Sequence, residues 1–234
     1  MTITHHFDDL DIFSIFHTTL LPPDSTLFLC FMTSHQSIIL GLTGGIACGK
    51  SETGRILVTE GFSVLDTDCV AHDVMKAGMS VFEQVVEKFG DRVIGVDGEL
   101  DRSVLGSIVF ADPVARDALN RMVHPAVFET VEKWKAEQSG DVAVMIPLLF
   151  EAGWVQGWDA VVCVSANEKT VFQRLEKRGL TPEEARLRIA AQMPLRDKEE
   201  KSDFIIRNNE SLDELRLEIR AVLERIRNQR NIDE

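Results

Sequence analysis

Apolar residues follow two alternating rhythms along this chain. The stretch 37–42 is a short, nearly unbroken aliphatic run (SIILGL) that stops at glycines. A run of that length bounded by turn residues reads as a buried strand. The same signature returns at 62–66 (FSVLD), 142–146 (VAVMI), 159–165 (DAVVCVS) and 203–208 (DFIIRN). The run at 142–146 is almost wholly apolar, which predicts a central position in a sheet. Between these runs the apolar spacing turns helical. Helices are predicted over 51–60, stopped by Gly61, over 69–75, over 81–89, and over 168–178, stopped by Gly179. Asp112 followed by Pro113 has the form of an N-cap with proline in the first turn. His124–Pro125 predicts the start of another helix running to about Gln138. Two capping boxes, Thr181–Glu184 and Ser211–Glu214, open later helices. The last of these carries Leu212, Leu215, Ile219, Leu223 and Ile226 on one side. Strand–helix alternation predicts a three-layer α/β domain over 37–230 with a parallel, five-stranded sheet. The stretch from about 69 to 138 lacks a clear strand and is expected to be a helical insertion on the substrate side.

Composition narrows the functional classes. The chain has 234 residues, 38 acidic against 25 basic, for a net charge of -13. That balance argues against a general nucleic-acid surface, which needs a basic field, but leaves room for a small anionic ligand at a local positive site. No apolar run reaches the length of about 18 residues expected of a membrane span. Cys30, Cys48, Cys69 and Cys163 form no Cys-x-x-Cys pair and match no zinc spacing. They read as reduced, mostly buried thiols of a cytoplasmic protein. The expected assembly is a monomer or weak homo-oligomer.

The glycines after the first strand carry the chemistry. Gly44-x-x-x-x-Gly49-Lys50-Ser51 fits the phosphate-binding loop pattern, and it lies between a predicted strand and a predicted helix. Glycines let main-chain amides converge on phosphate oxygens, and the following helix adds its positive end. Lys50, the first lysine or arginine of the chain, supplies a cation for β- and γ-phosphates, and the Ser51 hydroxyl suits Mg²⁺. Asp66 and Asp68 follow the second strand, where ligands of parallel sheets gather. One carboxylate of such a pair would hold magnesium through water and the other would take a proton from a hydroxyl. The alternative is an Asx-turn or an N-cap at Asp68.

The series GLTGGIACGKSE, VLDTDCVAHDV, LDRSVLGSIVF, HP, IPLLFE and DFIIRNN, in that order, resembles the dephospho-CoA kinase family from residue 38 to about 225. The resemblance implies the P-loop kinase fold with a helical substrate-binding domain and a mobile lid, here about 178–200. It implies ATP-dependent phosphorylation of the ribose 3′-hydroxyl of dephospho-CoA, with Mg²⁺ as cofactor. It implies that Gly44, Gly45, Ile46, Ala47, Cys48, Gly49, Lys50, Ser51 and Glu52 surround the nucleotide, together with Arg178 and Asn208. Asp68 would be the general base, assisted by Lys50 and Arg178, and Ser51 and Asp66 would belong to the metal shell. His72, Arg102, His124, Pro147, Leu148 and Leu149 would meet the acceptor. Glu151 would order the metal or a loop, Arg174 would pair with an acid, and Arg188 and Arg196 would serve the lid.

The chain departs from the family pattern at Ala47 and Cys48, where many members have Gly-Ser. This changes little if Ala47 avoids positive φ. Glu52 replaces a threonine that would meet the α-phosphate, and His72 replaces an arginine of some members. Other readings remain: a kinase for a nucleoside, nucleotide or shikimate-like alcohol, or a pseudo-kinase that binds CoA-like ligands without turnover, which Glu52 keeps open. A GTP switch would usually carry Asn-Lys-x-Asp, and the chain has no Asn-Lys dipeptide.

Residues 1–36 stand apart as a tail. They hold five phenylalanines and no lysine or arginine, which fits neither a secretory signal nor a mitochondrial presequence. His5, His6, His17 and His35 are too irregularly spaced for a metal site. Met32 opens a compact alternative start, so residues 1–31 are expected to be a disordered tail or a start-codon artefact. N-terminal mass determination of the native protein checks this. A chain beginning near Met32, or one beginning at Met1 with a protease-sensitive tail, is expected, and a protease-resistant Met1 terminus contradicts it.

Overall fold

The computed structural model describes residues 37–233. The expectations for residues 1–36, including Cys30, the four histidines and Met32, lie outside the described residues. Five strands, β1 (Ile39–Gly44), β2 (Ser63–Asp66), β3 (Val142–Met145), β4 (Ala160–Ser165) and β5 (Phe204–Arg207), form one sheet in the order β2-β3-β1-β4-β5. Every pairing is parallel, with Leu40 beside Ala143 on one side and Ala160 on the other. The helices are α1 (Lys50–Thr59), α2 (Thr67–Val74), α3 (Ser80–Phe89), α4 (Arg102–Ala111), α5 (Pro113–Ala136), α6 (Glu168–Lys177), α7 (Pro182–Ala190), α8 (Leu195–Lys201) and α9 (Leu212–Asp233).

Both faces of the sheet are covered, which is why its strands are apolar on consecutive rather than alternate positions. Ala143, Val162 and Val164 pack with Ile56, Leu57, Leu175 and the Leu215–Ile219–Leu223 stripe of α9. The alternate residues Val144 and Val161 pack with Val70, Val85, Val123 and Val131 of the α2–α5 segment. Period-2 alternation along a strand separates these two cores to opposite faces. The α2–α5 segment carries no strand, only a single antiparallel bridge, Ile94 with Leu100.

One expectation about helices needs correction. His124–Pro125 does not begin a helix. α5 starts at Pro113, where the Asp112 side chain accepts from the Val114 amide, and runs through Pro125. An interior proline removes one helical hydrogen bond. Burial of Val123, Val127 and Val131 on one side of α5 holds the helix across that gap. A helix also forms where the apolar spacing predicts none: the charged stretch LRDKEEK is α8, packed against β1 and β4.

The parallel arrangement brings the ends of β1, β2 and β3 to one edge of the sheet. At the end of β1, Gly44 has φ +147°, and a Cβ there would collide with the Val164 carbonyl oxygen of β4. Three residues later Ala47 has φ +58°, the left-handed region. The condition under which the Ala47 departure would change little, that it avoid positive φ, is not met: the loop bends here although the residue is not glycine. An L-residue there costs roughly 1–2 kcal/mol.

These two positions predict opposite behaviour. Gly44→Ala should lower the unfolding free energy by at least about 2 kcal/mol, because it adds both a clash and backbone strain. Ala47→Gly should change it by less than about 1 kcal/mol, since relief of strain is offset by a lost methyl and a freer unfolded chain. Urea unfolding of both variants checks the pair. A tolerated Gly44→Ala would contradict the close approach of β1 to β4.

Candidate active site

The loop between β1 and α1 takes its shape from residues far away in sequence. Arg174, in the last turn of α6, donates from Nη1 to the carbonyl oxygens of Ala47 and Cys48, both at 3.2 Å. Its Nη2 donates to the Asn208 carbonyl and side-chain oxygens, both at 3.1 Å. Asn208 Nδ2 donates in turn to the Cys48 carbonyl at 2.9 Å. The contact is so close that a Cβ at Gly49 would collide with the Asn208 amide. Arg174 thus pairs with carbonyls rather than with an acid. Asn208 has its side-chain amide committed to the loop, and the residue also borders the cavity described next.

A cavity of about 630 Å³ opens over this loop. Gly45, Ile46, Ala47, Gly49, Lys50, Ser51 and Glu52 line it, together with Arg178. Two predicted loop members do not. Gly44 is buried at the strand end, and the Cys48 side chain is buried beneath the loop. Lys50 Nζ donates to the Gly44 and Gly45 carbonyls at 2.9 and 3.2 Å. Burial holds its ammonium below the ordinary lysine value; Cys48 and Asp68 oppose this, and Lys198 adds to it. Glu52 is paired with Arg55 at 2.5 Å, one turn along α1, so its charge is answered within the helix. Four cations border the cavity (Lys50, Arg55, Arg174, Arg178) against three acids (Glu52, Asp68, Glu210). The site is locally positive in a strongly acidic chain.

A second cavity of about 500 Å³ lies beside the first, between α2, α5 and the turn after β3. Its wall is mostly apolar, including Met75, Val127, Phe128, Leu148 and Trp154, and His124 and Pro125 stand on it. Burial lowers the pKa of His124, which favours the neutral ring. Two residues border both cavities: Asp68 and Pro147. Asp68 belongs to the first turn of α2. The N-cap is Asp66, whose Oδ1 accepts from the Asp68 amide at 2.9 Å. The capping alternative therefore falls on Asp66 and leaves the Asp68 carboxylate free to face the cavities. Although Asp68 as a residue is exposed, desolvation of its carboxyl and then the charge of Asp66 raise its pKa, with Lys50 opposing.

The remaining expected residues divide clearly. Leu148 borders the second cavity, but Leu149 is fully buried against Gly41, so it supports the wall from behind rather than meeting a ligand. His72 on α2 and Arg102 on α4 are exposed and border neither cavity. Arg188 is exposed away from both, and Arg196 pairs with Glu200 at 2.9 Å. Three residues escaped sequence reasoning. Gln192 Oε1 accepts from the Ile46 amide at 3.1 Å, and Arg55 answers Glu52. Lys198 is fully buried, donating to the Pro147 carbonyl at 2.7 Å and pairing with Glu151 at 2.9 Å. Nothing in LRDKEEK distinguishes Lys198 from the surface lysines around it.

A divalent cation fits this edge in one way. Among the described residues, no three of His, Cys, Asp and Glu converge. Ser51 borders the first cavity and Asp66 sits beside Asp68. A cation would thus be shared between one or two side chains, water and phosphate oxygens, as Mg²⁺ commonly is.

Comparison with known proteins agrees with the geometry. The family model for dephospho-CoA kinase matches residues 38–214. A dephospho-CoA kinase of Symbiobacterium thermophilum is 45% identical over 188 residues, covering 78% of this chain and 79% of that one. The crystal structure of TT1252 from Thermus thermophilus superposes with a TM-score of 0.71 at 32% identity, covering 81% of this chain and 98% of that one. The dephospho-CoA kinase of Campylobacter jejuni superposes with a TM-score of 0.61 at 25% identity, covering 83% and 100%. A glycine loop clamped at the edge of a parallel sheet, an aspartate between two cavities, and these matches lead to one conclusion: the chain belongs to the dephospho-CoA kinase family.

Proposed function

We propose that the first cavity binds ATP, the second receives dephospho-CoA, and Asp68 stands where the two meet. The observation that carries this reading is the position of Asp68 and Pro147 on the walls of both cavities. Phosphates bind the amides of the Gly45–Ser51 loop and the N-terminal end of α1. Lys50 exchanges its two carbonyl partners for the β- and γ-phosphates, and Arg178 approaches from the end of α6. Mg²⁺, held by Ser51 with Asp66 through water, would draw charge from the phosphate oxygens. The acceptor's ribose 3′-oxygen forms a bond to the γ-phosphorus while the bond to the β-phosphate bridge breaks, and that electron pair leaves with ADP. The hydroxyl proton passes to the Asp68 carboxylate. The apolar wall of Met75, Phe128 and Trp154 suits the long acyl-carrier arm of the acceptor, and it also keeps water from the transferring group.

A raised pKa at Asp68 fits this role, since a base is most effective near the working pH. The free thiols among the described residues, Cys48, Cys69 and Cys163, suit a reducing compartment, so we place the reaction in the cytoplasm.

A coupled assay with ATP tests the acceptor. Dephospho-CoA is expected to turn over, with adenosine and shikimate far behind; equal turnover of shikimate would contradict the reading. Asp68→Asn should lower kcat by about 10²- to 10⁴-fold, the usual worth of a general base, with little change in ATP affinity. A base works only when deprotonated, and the Asp68 pKa is raised. The acid limb of the kcat/KM profile should therefore lie above the ordinary aspartate value and vanish in Asp68→Asn. Near-normal turnover of that variant would remove Asp68 from the role. Loss of Lys50 should cost on the order of 10²-fold or more in rate.

A further inference from the structure

Lys198 has a side chain with no exposed surface, yet it borders neither the 630 nor the 500 Å³ cavity. A buried ammonium is a poor device for stability, because a methionine would fill similar space without a charge to desolvate. What methionine would not do is hold oxygen atoms. Lys198 Nζ holds two. One is the Pro147 carbonyl, at 2.7 Å, on the residue that walls both cavities beside Asp68. The other is Glu151 Oε1, at 2.9 Å. That same carboxylate oxygen accepts from the Met193 amide at 2.9 Å. The neighbouring Gln192 accepts from the Ile46 amide in the phosphate loop at 3.1 Å. A connected series of polar contacts therefore runs from the wall at Pro147, through Lys198 and Glu151, to the α7–α8 connection and onto the loop. The helix carrying Lys198 is itself fixed at the sheet edge, where Ser165 at the end of β4 donates to Glu199.

We infer that Lys198 is a positioning residue for phosphoryl transfer: its ammonium sets the Pro147 wall against Asp68 and, through Glu151, seats the base of the lid on the phosphate loop. This rests on the proposed function above. It also bounds the lid. The segment expected to move, about 178–200, ends in a buried anchor at Lys198, so movement is confined to the residues before Met193. Lys198 acts on geometry rather than on the nucleotide, because the loop has a separate clamp in Arg174 and Asn208. Alignment of acceptor and phosphate matters most in the transition state. Removing the ammonium should therefore appear in kcat rather than in nucleotide affinity.

The experiment compares the full-length wild type with Lys198→Met, Glu151→Gln, the double variant and Lys201→Met, an exposed lysine on the same helix. Each is assayed for kcat, acceptor KM, ATP-analogue affinity and thermal midpoint. Lys198→Met and Glu151→Gln should each lower kcat on the order of 10-fold or more, with ATP-analogue affinity nearly unchanged. The double variant should be no worse than the poorer single variant within about twofold, as expected of residues acting as one unit. Lys201→Met should match the wild type. If Lys198→Met does not fold, Glu151→Gln alone carries the test, since it keeps the Pro147 contact and weakens only the ionic arm. A lowered thermal midpoint with wild-type kcat and KM would make Lys198 merely structural and overturn the inference, as would an equal loss in Lys201→Met. Failure of the wild type itself to phosphorylate dephospho-CoA would instead overturn the proposed function.

Discussion

The guanidinium of Arg174 is the constraint from which the site follows. A loop that aims its amides at phosphate must turn carbonyls the other way, and those carbonyls need donors. Arg174 and Asn208 supply them to Ala47 and Cys48 from α6 and from the end of β5. The rigid fork of an arginine suits two adjacent carbonyls in a way a lysine does not. With its back satisfied, the loop holds a left-handed residue at Ala47 and a glycine at position 49 that leaves room for the Asn208 amide. The shape of the loop is thus built by tertiary contacts, although its motif is local.

The same edge resolves an electrostatic difficulty. A chain with net charge -13 would repel a polyphosphate. Concentrating Lys50, Arg55, Arg174 and Arg178 around one cavity reverses the sign locally, and the Glu52–Arg55 pair keeps an unusual acid from undoing it. Next to this positive cavity, Asp68 is partly desolvated and crowded by Asp66. Lys50 favours its charged form, while burial and crowding disfavour it and prevail. A carboxyl balanced in this way can both hold and release a proton.

Most of the sheet was legible because buried parallel strands leave continuous apolar runs, and all five appear within two residues of their predicted bounds. The Gly44–Ser51 motif and the Asp66–Asp68 pair were legible because phosphate and proton chemistry demand those residue types at strand ends. Pro125 misled because a proline after a polar residue looks like a helix start, and only packing of Val123, Val127 and Val131 shows otherwise. Lys198 and Arg174 were hidden or misassigned for a common reason. Their partners are main-chain carbonyls and a carboxylate brought from elsewhere in the sequence, and a charge run carries no mark of where its side chains end. Leu149 failed as a ligand-facing residue because PLLFE turns after Pro147, which sends Leu148 outward and Leu149 into the core.

The central claim is that the acceptor hydroxyl and the terminal phosphate meet at Asp68. A crystal structure with a non-hydrolysable ATP analogue and dephospho-CoA bound together measures this directly. The account predicts the terminal phosphate against Lys50 and the loop amides, with the ribose 3′-oxygen within roughly 2.6–3.2 Å of the Asp68 carboxylate. An acceptor ribose bound outside the second cavity, with Asp68 beyond hydrogen-bonding reach of its 3′-oxygen, would contradict it.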